Sequence, residues 1–368
     1  LKERAETGRI YIMNLDHCNT HSSFKDKIYM SNLCQEITLP TTPVQHIDDK
    51  EGEIALCILS AINLGLLTDM NELEELCDLS VRALDEIIDY QEYPVEAAKI
   101  SAQSRRSLGI GYIGLAHYLA KNQVKYEDKK ALKLVDKITE AFQFYLLKAS
   151  NNLAKEKTKC LWFEKTKYSD GILPIDTYKK ELDEIVSREY SYDWEWLRKE
   201  IKEHGLRHST LSAQMPSESS SVVSNATNGV EPPRDYLSVK KSKKGPLKQI
   251  VPDYNRLKNY YTLLWDMKGN EGYINIIAVM QKYFDQAISG NWSYNPENYK
   301  DGEVPLSVMA QDLLTTYKLG WKTAYYQNTY DAKSDIDEPV HPVGWHDGVE
   351  ETPKEKKEDE EDCEACTI

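Results

Sequence analysis

The sequence predicts an α/β fold, because long segments with helical periodicity alternate with short β-branched or aromatic runs. Helical periodicity is strongest in 51–67, 71–90, 95–121, 129–155, 254–267, 273–289 and 304–319. The runs that are typical of strands are 28–32, 37–39, 247–251 and 322–327. A Lys-Lys-Gly-Pro sequence in the middle of 236–251 predicts a β-hairpin with a solvated turn. Helix therefore dominates, with short strands set between the helices.

Composition restricts the class of protein. At 368 residues with 40% apolar side chains, the chain can fill the core of one large domain or two ordinary ones. The net charge of -14 argues against a nucleic-acid-binding protein. No signal-peptide pattern is present, and no apolar run approaches the ~18 residues of a membrane span. Seven cysteines, an odd number, do not fit a secreted disulfide framework, so we expect reduced thiols and a cytoplasmic protein.

The last part of the chain differs from the rest. After Asn328 the pattern changes to Asp, Lys, Glu and Pro, which predicts a disordered, charged arm. We therefore predict a folded region over 1–330 and a flexible acidic tail over 331–368. Cys363 and Cys366 stand at the tip of this tail. A mobile segment gains nothing from cysteine in packing, so the presence of this pair requires another explanation.

The glycine motif in segment 109–114 is weak evidence for dinucleotide binding. Segment 109–114 reads Gly-Ile-Gly-Tyr-Ile-Gly, which matches the dinucleotide-binding fingerprint. That fingerprint requires an apolar strand immediately before the glycines, whereas the polar segment 103–107 precedes them here. Close packing of a helix rich in small residues is therefore favoured over NAD binding.

The segment 17–21 offers three metal-ligand side chains, His17, Cys18 and His21. A complete zinc site needs a fourth ligand at matching spacing, and no second His/Cys cluster lies nearby in the sequence. We predict a structural role for these residues and no metal site. Cys77 and Cys160 are most simply small buried hydrophobes.

The segment 31–36 places an amide, a thiol and a carboxylate at every second position, in Asn32, Cys34 and Glu36. If the segment is extended, these side chains project to one side and face one cavity. The alternative is an edge strand whose polar residues face water. The six residues alone leave the two interpretations equally open.

Further candidates are less specific when taken singly. Cys57 lies in a predicted helix over 54–60 and is ordinarily a buried hydrophobe. Segment 215–233 is rich in hydroxyls and turn formers, so it is either an anion-binding loop at a helix N-terminus or a linker. The adjacent Tyr325 and Tyr326, in a predicted strand, would by themselves be assigned to the core.

Taken in order, these features resemble the class I ribonucleotide reductase large subunit. The shared sequences are Asn-x-Cys-x-Glu, a Cys-bearing segment, Pro-Ser-Glu-Ser-Ser followed by Asn-Ala-Thr-Asn-Gly, Tyr-Tyr-Gln-Asn-Thr, and a two-cysteine tail. The resemblance begins midway through the catalytic barrel of that family and covers nearly the whole chain. It implies the C-terminal half of a ten-stranded α/β barrel, with Cys34 on a loop or strand end that reaches the centre.

The resemblance also implies roles for the reactive residues. Cys34 would become a thiyl radical that takes the 3' hydrogen of the ribose, while Glu36 acts as general base and Asn32 holds the sugar. Cys57 would be one of two thiols that form a disulfide as the substrate is reduced. The partner of Cys57 is not identifiable in this chain, and the surroundings of Cys18 do not match those of that thiol.

Three further assignments follow from the same resemblance. The substrate diphosphate would bind to a loop that contains Glu218, Ser219 and Ser220. A radical relay from a partner subunit would use Tyr325 and Tyr326. The tail pair Cys363 and Cys366 would reduce the active-site disulfide again and would then be reduced by thioredoxin or glutaredoxin.

The implied function is reduction of ribonucleoside diphosphates to 2'-deoxyribonucleoside diphosphates. We expect no cofactor in this chain, a diiron-tyrosyl radical in the small subunit, and nucleotide effectors on the N-terminal half. If the chain is naturally split, that half would bind as a separate polypeptide, and the alternative is a truncated chain that is inactive alone. We expect no nucleic-acid or membrane partner. One alternative is a non-catalytic remnant that binds the radical subunit or the N-terminal half. Another is a cobalamin-dependent reductase of the same superfamily, against which the tyrosine pair argues.

Overall fold

The computed structural model describes residues 1–242 and 245–331. Its helices are α1 Lys2–Thr7, α2 Leu15–Thr20, α3 Met70–Tyr90, α4 Glu96–Arg105, α5 Leu115–Lys121, α6 Lys129–Glu156, α7 Pro174–Thr177, α8 Trp194–His204, α9 Glu218–Val223, α10 Tyr254–Leu257, α11 Glu271–Gln281 and α12 Leu306–Lys318. Its strands are β1 Ile12–Met13, β2 Ile58–Asn63, β3 Leu108–Ile113, β4 Leu237–Ser242, β5 Gly245–Ile250, β6 Trp292–Tyr294, β7 Thr323–Ala324 and β8 Gln327–Thr329.

A series of parallel strands follows the order of the chain. β2 pairs with β3 along its whole length. Ile110 of β3 bridges Ser212, and Gln214 then bridges Ile288, both in parallel. β6 continues the series by pairing in parallel with β8. Helices connect the successive strands, so the chain repeats the βαβ unit in the manner of an α/β barrel, which confirms the predicted fold class.

The N-terminal segment packs against the last strands of this series. β1 pairs antiparallel with β7, with Ile12 opposite Ala324. The buried guanidinium of Arg4 donates to the carbonyl oxygens of Tyr325 at 2.7 Å and Tyr326 at 3.2 Å. These bonds hold the backbone of the tyrosine pair against the beginning of the chain.

The main hydrophobic core surrounds α6. Apolar residues recur there every three or four positions, at Leu132, Val135, Phe142 and Leu146 among others, and they are buried. This helix packs against α3, α8 and α11. The helices therefore form an outer layer that supports the parallel strands.

Two predicted helices are wrong in part, because they contain the strands β2 and β3. All six residues of β3 are buried, and a parallel strand covered on both faces has a continuous apolar run without alternation. A Cβ on Gly109 would lie 2.5 Å from Leu59 Cδ2, and one on Gly111 would lie 2.6 Å from the carbonyl oxygen of Ala213. The glycines of segment 109–114 therefore permit close packing between strands rather than between helices.

Other predictions had mixed outcomes. The helices predicted over 71–90, 129–155 and 304–319 are confirmed by α3, α6 and α12, and the hairpin by β4 and β5. The strands predicted over 28–32 and 37–39 do not form. The helices predicted over 254–267 and 273–289 end early, at Leu257 and Gln281. The hairpin turn at 243–244 and the acidic tail, including Cys363 and Cys366, lie outside the described residues.

No helix in the described part of the chain is both long and apolar enough to cross a bilayer.

Candidate active site

Cys34 lies in a tight turn rather than in a strand. The backbone N–H of Asn32 donates to the carbonyl oxygen of Ile37 at 3.2 Å. The backbone N–H of Ile37 donates to the side-chain oxygen Oδ1 of Asn32 at 3.1 Å. Gln35 has a φ of 65°, which reverses the chain just after the cysteine. The extended conformation considered for this segment is therefore wrong, whereas the expected position of Cys34 on a loop is confirmed.

Glu36 is the buried carboxylate of this turn, with only 2% of its surface exposed. Burial raises the pKa of Glu36 above its usual value of 4.5, and hydrogen bonds from Asn32 and Ser289 oppose the shift. Ser289 Oγ can donate to Glu36 Oε2, at 3.2 Å, or to the carbonyl oxygen of Cys34. Because a hydroxyl has a single proton, Ser289 serves one of these two acceptors at a time.

The tyrosine pair lies directly behind the Cys34 thiol. Tyr325 is buried, and its hydroxyl donates to Cys34 Sγ at 3.4 Å. The ring centre of Tyr326 is 4.2 Å from that of Tyr325. A third ring, Tyr11, lies 4.6 Å from Tyr325 and 5.1 Å from Tyr326. Burial, with Cys34 beside it, raises the pKa of Tyr325 above its usual range, so this phenol is protonated at neutral pH.

Cys57 is a half-buried thiol immediately before β2, so its predicted place on a helix is wrong. Gln286 Nε2 donates to Cys57 Sγ at 3.5 Å. Burial raises the pKa of the Cys57 thiol, the bond from Gln286 lowers it, and the carboxylates of Glu36 and Asp285 raise it further. The thiol is therefore protonated at neutral pH.

The proposed diphosphate loop begins at α9. Asn228 Nδ2 donates to Glu218 Oε1 at 2.5 Å, and the Ser217 amide donates to Asn228 Oδ1 at 3.1 Å, so the loop closes on itself. Ser219 is half-buried and Ser220 is exposed. Glu218 also lines a cavity of about 130 Å³ between α9 and the β4–β5 hairpin.

The segment 286–291, whose first residues were predicted to end a helix, contacts the Cys34 turn, Cys57 and the tyrosine pair. Residues 286–291 follow α11, and Gln286 contacts Cys57 while Ser289 contacts the Cys34 turn. The Asn291 side chain accepts a bond from the Tyr326 amide at 2.9 Å and donates to Glu231 Oε1 at 2.6 Å. The Ser289 amide donates to the carbonyl of Gln214, just before the diphosphate loop. Polar residues that interrupt an apolar helical pattern were the available signal for this segment.

The histidines of segment 17–21 have structural contacts, as predicted. His17 Nδ1 lies 2.8 Å from the carbonyl oxygen of Trp321. His21 Nε2 lies 2.7 Å from the carbonyl oxygen of Gln281. His17 therefore connects α2 to the segment before β7, and His21, which follows α2, connects to the end of α11.

The thiol of Cys34 is hydrogen-bonded to the first of two adjacent phenols whose rings are inclined by 60°, beside a buried carboxylate, an arrangement that is chemically capable of radical and thiol redox reactions. Residues 1–327 match the family model of the ribonucleotide reductase barrel domain, and the chain belongs to that family. It is 58% identical over 343 residues to ribonucleoside-diphosphate reductase subunit alpha of Haemophilus influenzae, which covers 92% of this chain and 45% of the relative. Identity to subunit alpha of ribonucleoside-diphosphate reductase 1 of Escherichia coli K12 is 56%, over 95% of this chain and 46% of the relative. The subunit alpha of Enterobacteria phage T4 is 42% identical, over 100% of this chain and 47% of the relative. The chain thus spans less than half the length of these relatives.

Proposed function

We propose that this chain is the catalytic portion of a ribonucleoside-diphosphate reductase, which reduces ribonucleoside diphosphates to their 2'-deoxy forms. It works in a complex with the N-terminal half of the large subunit and a small radical-generating subunit. The hydrogen bond from the Tyr325 hydroxyl to Cys34 Sγ is the observation that carries this proposal. The names of the relatives, ribonucleoside-diphosphate reductase subunit alpha, support it.

The radical step uses the two adjacent phenols. An oxidation that reaches Tyr326 passes to Tyr325, whose ring centre is 4.2 Å away. The oxygen of the Tyr325 radical then takes the hydrogen atom of the Cys34 thiol across their 3.4 Å contact. The S–H bond breaks, the phenol O–H bond forms again, and Cys34 holds the unpaired electron. The small subunit, with its diiron-tyrosyl radical, supplies the original oxidation.

The substrate step uses the Cys34 turn. The Cys34 thiyl takes the 3' hydrogen of the ribose, Glu36 accepts the proton of the 3' hydroxyl, and the 2' hydroxyl leaves as water. Asn32 binds the sugar and holds it in position. A carboxyl whose pKa is raised by burial is a stronger base once it is ionised, which suits Glu36 to this task. Cys57 and a second thiol then join in a disulfide and supply two electrons and two protons, one proton for the departing water and one for the 2' carbon. Cys34 returns the hydrogen to the 3' carbon and becomes a thiyl again, and Glu36 returns its proton to the 3' oxygen.

The substrate diphosphate binds at the start of α9. Because the Glu218 carboxylate is negative, we assign the contacts to phosphate to backbone N–H groups and to the hydroxyls of Ser219 and Ser220. Glu218 holds the loop closed through Asn228. Substrate binding and thiol chemistry therefore use separate segments that meet near Gln214.

Regeneration and regulation involve parts beyond the described residues. The tail thiols Cys363 and Cys366 reduce the active-site disulfide by exchange and are then reduced by thioredoxin or glutaredoxin. Nucleotide effectors bind to the N-terminal half. We place the protein in the cytoplasm, because Cys18, Cys77 and Cys160 are buried free thiols of the kind that a reducing compartment preserves.

The test is reconstitution of activity. The full chain is mixed with an N-terminal half, a radical subunit, a dithiol reductant and a ribonucleoside diphosphate, and deoxyribonucleotide formation is measured. Cys34→Ala should abolish turnover, whereas Cys160→Ala, which removes a buried thiol outside the site, should retain it. Equal turnover by both variants would refute the role of Cys34. Turnover with adenosylcobalamin in place of the radical subunit would refute the tyrosine relay.

A further inference from the structure

The Gln286 side chain occupies a central position between the thiols and the strands. It is fully buried, on the segment that follows α11. Its Nε2 donates to the carbonyl oxygen of Leu108 at 2.9 Å and to Cys57 Sγ at 3.5 Å. Its Oε1 accepts a bond from the Thr38 amide at 3.2 Å. One side chain thus connects β3, the end of the Cys34 turn, and the Cys57 thiol.

The backbone determines which end of the Gln286 amide faces the thiol. The carbonyl oxygen of Leu108 can only accept, so it requires the NH₂ group, and the N–H of Thr38 can only donate, so it requires the oxygen. An NH₂ group has two hydrogens, and the one that does not serve Leu108 is directed at Cys57 Sγ. Rotating the amide by 180° would lose both backbone bonds. The sulfur of Cys57 therefore always has a donor beside it.

The main chain of Gln286 is also held in place. Its amide donates to the carbonyl of Ser212 at 3.0 Å, and its carbonyl accepts bonds from Gln281 at 2.9 Å and from the buried Lys322 ammonium at 2.8 Å. These contacts come from three different parts of the chain. The donor to Cys57 is consequently held in a fixed position.

The other groups that face Cys57 oppose its ionisation. Glu36 and Asp285 are both carboxylates and raise its pKa, as burial does. The neighbouring strand β3 brings Gly109 close to it, since a Cβ there would lie 3.0 Å from the sulfur. The hydrogen bond that Gln286 donates to the sulfur has the opposite effect and favours the charged form of Cys57.

We propose that Gln286 is a positioning residue of the redox step, which holds Cys57 Sγ and stabilises its thiolate through a fixed N–H donor. The proposal rests on the proposed function of Cys57 as a redox-active thiol. It adds a residue that acts through the sulfur and does not contact the substrate.

The thiolate appears when the active-site disulfide is reduced. One thiolate of the reducing dithiol attacks the sulfur that is bonded to Cys57, the S–S bond breaks, and Cys57 leaves with the electron pair as a thiolate. The second thiol of the reductant then resolves the mixed disulfide. The reductant becomes a disulfide, and two electrons and two protons pass to the active-site pair. A donor beside the leaving sulfur lowers the energy of this charged product in a site where burial raises it.

The test measures the acidity of Cys57 in the full chain, without any partner subunit. The protein is alkylated with iodoacetamide over a range of pH, and the rate at Cys57 is read by mass spectrometry of its peptide. In Gln286→Met the midpoint of the rate against pH should rise by about one unit, so that alkylation below the midpoint slows about tenfold. A midpoint that is unchanged or lower would overturn the proposal. Looser packing alone should lower the midpoint, because it reduces the burial that raises the pKa of Cys57, so it acts in the direction opposite to the expected rise.

Gln214→Met is the matched control. Gln214 is also a buried glutamine that bonds to β3, through the amide and carbonyl of Tyr112, but it has no contact with Cys57. In Gln214→Met the midpoint for alkylation of Cys57 should equal that of the wild type. Buried Cys77 reports folding, because it becomes alkylated only in an unfolded chain. If Gln286→Met labels Cys77, Gln286→Asn decides, since it keeps a neutral amide but its shorter side chain withdraws the donor from Cys57, and it should also raise the midpoint.

The two proposals can fail independently. The alkylation midpoint does not depend on deoxyribonucleotide formation. A raised midpoint in a chain that shows no reductase activity in reconstitution would keep the assignment of Gln286 and reject the function. An unchanged midpoint in a chain that shows reductase activity would reject the assignment of Gln286 and keep the proposed function.

Discussion

The Tyr325 hydroxyl donates a hydrogen bond to the Cys34 sulfur at 3.4 Å, although the two residues are 291 positions apart in the chain. Replacing Tyr325 with Phe removes the O–H group and keeps the ring. We expect Tyr325→Phe to abolish deoxyribonucleotide formation while its thermal unfolding stays close to that of the wild type. Tyr317→Phe removes an exposed phenol that bonds to Asp16 and should retain activity. Retained turnover in Tyr325→Phe would contradict the relay.

The second prediction concerns the pH dependence of turnover. A general base acts in its ionised form, and burial raises the pKa of Glu36 above 4.5. We therefore expect kcat/KM to increase with pH as Glu36 ionises, with a midpoint above 4.5. Glu36→Gln should lose turnover at every pH, whereas Glu203→Gln, an exposed carboxyl on α8, should reproduce the wild-type profile. A wild-type profile that is flat from pH 4.5 to 8 would count against Glu36 as the base.

The third prediction concerns stability. Burial raises the pKa of Glu231 to about 7 and Glu218 adds to the shift, while Arg234 and Asn291 oppose it. Between 4.5 and about 7 the folded chain binds more protons at Glu231 than the unfolded chain does, so the free energy of unfolding falls as pH rises.

Glu231→Gln cannot titrate, so its stability relative to the wild type should increase by roughly 2 to 3 kcal/mol between pH 4.5 and 8. Urea unfolding at several pH values measures this difference. A constant difference between the two proteins across that range would show that Glu231 does not titrate as its burial implies.

The fourth prediction concerns a buried ion pair that supports the approach to β2. Arg105 donates to both oxygens of the buried Glu53 carboxylate and to Asp26 Oδ2 at 2.7 Å. Arg105→Met leaves Glu53 charged and buried, which should cost about 3–5 kcal/mol in the free energy of unfolding. Arg82→Met breaks pairs that are more exposed and should cost less than about 1 kcal/mol. Equal losses in urea unfolding would contradict this reasoning.

The fifth prediction concerns the room that a glycine leaves for Cys57. A Cβ at Gly109 would collide with Leu59 and touch the Cys57 sulfur. Gly109→Ala should therefore cost about 1–3 kcal/mol in the free energy of unfolding and reduce turnover. At Gly269 a Cβ meets no atom within 4 Å, so Gly269→Ala should change neither quantity. Normal turnover in Gly109→Ala would show that β3 adjusts without moving the thiol.

Sequence alone predicted the amphipathic helices well. The helix predicted over 129–155 corresponds to α6, because one apolar stripe repeats over many turns. The strands β2 and β3 were missed, since buried parallel strands lack the alternation that distinguishes a strand from a helix. The turn around Cys34 was missed for a different reason. It depends on a positive φ at Gln35. Glutamine rarely adopts a positive φ, so its presence in the sequence does not predict one.

The candidate site was predictable only in its reactive residues. Cys34, Glu36 and Tyr325 were chosen from a resemblance, and their catalytic roles stay predictions. Their neighbours could not be predicted, because Gln286 is 229 positions from Cys57 and Ser289 is 255 positions from Cys34. No local pattern reports a contact over such a separation. Those pairings depend on how the parallel strands are arranged.

The segment 286–291 has a consequence for how the proposed activity would be lost. Within six residues it contacts the proposed redox thiol Cys57, the turn of the proposed radical thiol Cys34, and the tyrosine pair. A single local opening of the segment would therefore disable sulfur exchange, hydrogen abstraction and radical transfer together. Partial heating should produce a mixture of fully competent and fully silent molecules, rather than a uniform population in which each step is slower.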